Sequence, residues 1–64
     1  METAQGFRST GLTGMKEISS HVRMSEVTVL KLIRSKGLPA KKVGGQWISD
    51  ATVIKKWWIN VLAS

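Results

Sequence analysis

SEVTVLKLIRSKGLP, residues 25–39, is the stretch on which the reading of this chain turns. Val29, Leu32 and Ile33 recur at helical spacing and form one apolar stripe. Val27, Thr28, Lys31, Arg34 and Ser35 fall largely off that stripe, so the other face is polar and basic. Ser25 offers a hydroxyl to the free amides of a helix start. Gly37 can adopt the positive φ of a helix C-cap, and Pro39 forbids continuation. The stretch predicts a helix from about Glu26 to Lys36.

On its N-terminal side, Met15, Ile18, Ser19 and Val22 are spaced i, i+3, i+4, i+7, one face of a second short helix. Thr13 or Gly14 supplies its N-cap, and Glu17 in the first turn suits the helix dipole. Ser19 is small at a central inward position, which lets another helix cross closely. Arg23-Met24 breaks the pattern before Ser25. Two short helices joined by a tight turn, the second with a basic outer face, make a helix-turn-helix pattern.

On the C-terminal side, Lys41-Lys42-Val43-Gly44-Gly45-Gln46-Trp47-Ile48 reads as a β-hairpin. A two-residue loop pairs Val43 with Gln46 and Lys42 with Trp47. A three-residue loop pairs Val43 with Trp47, turns both apolar side chains toward the core, and is the favoured register. Ser49-Asp50 caps a third helix to about Leu62. Its stripe of Ile54, Trp57, Trp58 and Val61 is widened by Val53 and Leu62, while Ile59 lies opposite among Lys55, Lys56 and Asn60. Residues 1–12 are polar, small and aperiodic, with Phe7 the one large aromatic side chain, and are assigned to a flexible arm. Residues 13–62 form the domain, mainly α with a small β-hairpin.

Composition narrows the function. A chain of 64 residues holds one domain and has little room for a deep cleft. It has no cysteine and one histidine, His21, which argues against a disulfide framework and a zinc centre. Four scattered acids and one histidine make no acid–base pair, so neither an enzyme nor a bound cofactor is expected. No apolar run approaches the length of a membrane span. Ten Lys and Arg against four Asp and Glu leave a net charge of +6. From Val27 to Ser49 there is no acid at all, while Lys31, Arg34, Lys36, Lys41 and Lys42 fall there. Such a basic block points to a polyanion, with nucleic acid the commonest partner in a cytoplasm.

Glu17-x-Ser19, Ser25-x-x-Thr28-Val29-x-x-Leu32-Ile33, Gly37-Leu38-Pro39-Ala40, Lys42-Val43-Gly44-Gly45-Gln46-Trp47 and Trp57 together resemble the excisionase-like, MerR-related winged helix-turn-helix domains of phages and bacteria. The resemblance spans Thr13 to Trp58. It implies three helices plus a wing, with the second helix in the major groove of double-stranded DNA and the hairpin on the adjacent backbone or minor groove. Carried over by position, Ser25, Glu26, Val27, Thr28, Lys31 and Arg34 belong to the recognition helix. Lys41, Lys42, Gly44, Gly45 and Gln46 belong to the wing. It further implies a role in recombination or transcription control, in a bacterial or phage-infected cytoplasm. The chain departs from the family in three places: Arg23 where the turn usually has glycine, Leu30 where an aromatic is common, and Ile48 where a basic residue often follows the tryptophan. If Arg23 is left-handed, it carries a cost of about 1–2 kcal/mol; otherwise the turn differs.

Residue chemistry refines these roles. Arginine can form bidentate bonds to guanine, whereas lysine acts as a point charge. Arg34 nevertheless lies toward the helix C-terminus, where phosphate contact is the better expectation, because recognition helices read bases with their N-terminal residues. Glu26 suits cytosine N4, and Val27 and Thr28 suit a thymine methyl. Ser25 is first a cap, and its helix-start amides also suit a phosphate. Trp47 and Trp57 are read as core. Trp58, Ile59 and Leu62 are candidates for a protein interface, because the third helix is apolar over more surface than one core face needs. The partners expected are double-stranded DNA, a second copy or a cooperative array on DNA, and a recombinase or other protein. Two alternatives stand beside this reading: the DNA-recognition domain of a phage terminase small subunit, and a protein-interaction module using the third helix.

Overall fold

The computed structural model describes residues 10–64; the notion of a flexible arm at residues 1–9, Phe7 included, lies outside them. In chain order the elements are β1 (Gly11–Thr13), α1 (Met15–Val22), α2 (Glu26–Ser35), β2 (Lys41–Val43), β3 (Gln46–Asp50) and α3 (Ala51–Ala63). Helices of 8, 10 and 13 residues outweigh strands of 3, 3 and 5, so the domain is mainly helical. The strands form one antiparallel sheet in the order β1-β3-β2.

The core sits where the stripes of the helices meet. Ile18, Val22, Val29 and Ile54 are buried together, with Leu12, Met15, Met24, Ile33, Ala40 and Trp47 packed around them. Ser19 is buried too, its hydroxyl donating to the Lys16 carbonyl at 3.0 Å, so a small residue stands on the inward face of α1 as expected. Ser25 caps α2 by accepting the Thr28 N–H at 3.2 Å. Asp50 caps α3 by accepting the N–H groups of Thr52 and Val53. Gly37 takes φ +72° just beyond α2, and Leu38 behind it is buried.

The turn between α1 and α2 resolves the question at Arg23, which is left-handed at φ 61°. Its N–H donates to the Ser20 carbonyl and that of Met24 to the Ser19 carbonyl. This is a Schellman closure with arginine where glycine is usual. The conformation burdens any residue carrying a Cβ by about 1–2 kcal/mol. Arg23→Gly is therefore expected to raise stability by about 1 kcal/mol after the entropy glycine adds to the unfolded chain. A thermal melt followed by circular dichroism checks this: the midpoint should rise by about 4–8 °C.

Two expectations are corrected. Gly11 and Leu12, assigned to the arm, belong to the sheet, since β1 pairs Gly11 with Asp50 and Leu12 with Ser49. Thr10 joins them: its hydroxyl donates to Asp50 Oδ2 at 2.8 Å and its carbonyl accepts the Ala51 N–H. The hairpin has the two-residue loop, with Val43 opposite Gln46 and Lys42 opposite Trp47. Gly44 at φ 60° and Gly45 at φ 80° form a primed turn, whose twist matches that of the flanking strands. Turn geometry outweighs the burial of one valine. Val43 faces outward and is 56% exposed.

Candidate nucleic-acid interface

The exposed face of α2 is built by exclusion from the core. With Val29 buried and Leu32 and Ile33 half-buried, Glu26, Val27, Thr28, Lys31 and Arg34 are left exposed. Lys31 and Arg34 lie three residues apart and so share this surface. At its N-terminal end, the Ser25 hydroxyl donates to Thr28 Oγ1 at 2.9 Å while accepting the Thr28 N–H. Ser25 is thus engaged as a cap. Thr28 keeps its own hydroxyl proton and its methyl for an outside contact.

The hairpin is less uniform than its sequence suggests. Lys41 and Lys42 are both exposed on the edge strand β2, but successive side chains leave a strand on opposite faces. Lys42 shares its face with Trp47, and Lys41 shares the outer face with Ile48. Lysines on an edge strand also discourage pairing with another sheet, which gives this pair a second physical role. Gly44 and Gly45 form the tip. A Cβ added to either would meet nothing within 4 Å, so backbone geometry rather than close packing requires them. Gln46 is exposed, yet its side chain reaches back over the start of α1, where a Cβ added at Gly14 would lie 3.4 Å from Nε2.

The three carboxylates among the described residues all stand at helix starts. Glu17 in the first turn of α1 accepts the Thr13 N–H at 2.9 Å, Glu26 opens α2, and Asp50 caps α3. Each is placed where the helix dipole favours negative charge. Only Glu26 of the three lies on α2, and it stands at the end opposite Arg34.

The third helix divides its tryptophans. Trp57 is half-buried and donates its indole N–H to the Lys36 carbonyl at 2.8 Å, tying α3 to the end of α2. Sequence spacing had no means of finding that bond, which is made across the fold. Trp58 packs edge-on against Trp57 at 6.1 Å between ring centroids and is 39% exposed. Ile59 is 55% and Leu62 74% exposed. Trp58 and Ile59 line a groove between α3 and the last turn of α1, where His21 also lies. Leu62 stands outside that lining. The structure therefore brings two of the three candidate interface residues together, with Val22, Arg23 and Lys55 as neighbours that the sequence does not assign to an interface.

Among the described residues, no helix is long and apolar enough to cross a membrane, and no group of three or more His, Cys, Asp and Glu side chains is placed to hold a metal ion. No protein-family model, no characterised protein and no solved structure matches the chain.

Proposed function

We propose that this protein is a double-stranded DNA-binding domain of the winged helix-turn-helix type, in which α2 enters the major groove and the β2–β3 hairpin serves as the wing. The observation that carries the reading is the exposed face of α2, with Lys31 and Arg34 toward its end and Val27 and Thr28 at its start. Helix-turn-helix readers place base-contacting residues in that first turn and cations on phosphate beside it. The order of elements supports it further: two helices joined at a tight turn, then a hairpin with a primed two-glycine tip, then a closing helix.

In this reading Val27 and Thr28 meet thymine methyl groups, and Glu26 accepts from cytosine N4. Lys31, Arg34, Lys41 and Lys42 neutralise phosphates, and Gly44, Gly45 and Gln46 bring the hairpin tip to the backbone or minor groove. Ser25 acts by holding the helix start whose amides face a phosphate. One helix and one hairpin bury little surface, so the protein binds as a dimer or as an array on repeated sites. Excision or transcription control, as in the excisionase-like proteins it resembles, is the biological setting this favours. Recognition of packaging sites, as in a terminase small subunit, uses the same interface.

Fluorescence-anisotropy titration of labelled duplex DNA at two salt concentrations tests the proposal. Four phosphates neutralised by these cations give a log–log salt slope of about −3.6, at roughly −0.9 each. An affinity that does not change with salt contradicts it.

A further inference from the structure

A second surface lies away from α2 and the hairpin. The groove between the end of α1 and α3 has a volume of about 580 Å³. Val22 and Ile54, both buried, form its floor, and the exposed Trp58 and Ile59 form its wall. Arg23 and Lys55, both exposed, also line it, and no carboxylate does so among the described residues. None of the residues that line it belongs to α2 or to the hairpin.

Arg23 is the unusual member. It is held left-handed at φ 61°, where a glycine would sit without strain, and it is an exposed cation in the lining of an apolar groove. A side chain kept in a strained conformation invites a functional explanation, because the fold alone is better served by glycine. Guanidinium and ammonium groups around a partly exposed tryptophan match one kind of ligand: an apolar side chain flanked by carboxylates.

We propose that this groove docks an acidic segment of another protein, which seats an apolar side chain against Trp58 and Ile59 and pairs its carboxylates with Arg23 and Lys55. A second copy of this chain is a poor occupant, because the same cations would face each other. Of the copy's three described carboxylates, Glu17 and Asp50 are already bonded to backbone amides at helix starts, which leaves the exposed Glu26 alone to answer two cations. Duplex DNA is a poor occupant as well, since the floor and wall of the groove are apolar. The site is separate from the DNA-binding face, so one molecule can hold both ligands.

The test uses the full chain and a fluorescein-labelled helical peptide with leucine at i, i+3, i+4 and i+7 and glutamate between, beside an analogue in which glutamine replaces every glutamate. The glutamate peptide should bind and the glutamine analogue should bind about tenfold more weakly. Trp58→Ala should weaken binding of the glutamate peptide about tenfold or more. Arg23→Gly should raise the melting temperature yet weaken peptide binding about fivefold, a pair of opposite effects that a purely structural role does not produce. Lys55→Glu, at an exposed position, provides a variant whose folding is not at risk and should match the loss. Lys31→Ala/Arg34→Ala should leave peptide binding unchanged, which keeps failure of this proposal distinct from failure of the DNA-binding one. Several results overturn it: equal affinity for both peptides; binding indifferent to Arg23→Gly and Lys55→Glu; loss of duplex binding, in place of peptide binding, in those variants; or a dimer in sedimentation that Trp58→Ala dissociates. Tenfold tighter peptide binding by Phe7→Ala would likewise overturn it, giving the groove to residues 1–9 of the chain itself.

Discussion

Ile18→Ala is expected to leave a large fraction of the protein unfolded at physiological temperature. Ile18 is 0% exposed, and its side chain lies in the buried cluster with Val22, Val29 and Ile54. Truncating a buried isoleucine removes its transfer free energy and opens a cavity that neighbours fill only partly, at a cost of about 2–5 kcal/mol. A domain of this length has a total stability of only about 3–10 kcal/mol. With so few side chains fully buried, a small domain has little reserve to absorb the loss. Urea denaturation followed by circular dichroism should show a much lower midpoint with an unchanged slope. Ile59→Ala provides the control, because an exposed residue of the same type should cost less than about 0.5 kcal/mol. A loss at Ile18 no larger than at Ile59 would mean that the core is not where α1, α2 and α3 meet.

The second large effect concerns binding. Lys31→Ala/Arg34→Ala should lower duplex affinity by about 10- to 100-fold at low salt and reduce the salt slope by about two. Both side chains are exposed on α2, so the fold should survive and the melting temperature should barely move. Removing Arg34 alone should weaken all sequences similarly if it meets phosphate; unequal weakening at one base position would assign it to guanine instead. Unchanged affinity in the double variant would remove α2 from the interface.

Much of this architecture was legible because helices announce themselves locally. Met15, Ile18 and Val22, then Val29, Leu32 and Ile33, mark inward faces by spacing alone, and Ser25, Gly37 and Asp50 mark the ends through caps. The exposed face of α2 followed as the complement of its stripe. What escaped the reading depends on contacts far apart in the chain. β1 is three residues with no alternation to reveal it, and it exists because Gly11, Leu12 and Thr13 pair with Asp50, Ser49 and Ile48. The hairpin register departs from the one that would bury Val43 because a turn whose two glycines both take positive φ closes the strands with Val43 opposite Gln46. The period of α3 points Trp57 inward, and it is half-buried, but the bond from its indole to the Lys36 carbonyl is made across the fold. Surplus apolar surface marks Trp58 and Ile59 in the sequence, but the groove they line exists because α1 ends beside α3, with Arg23 in the lining.

Amide chemical-shift mapping on the labelled full chain, titrated with duplex DNA, tests the central claim most directly. The expected result is a set of shifts concentrated at Ser25–Arg34 and Lys41–Gln46, reduced as salt is added, with Trp58 and Ile59 left in place. Shifts centred on α3 and the end of α1 instead, with α2 unmoved, would contradict it.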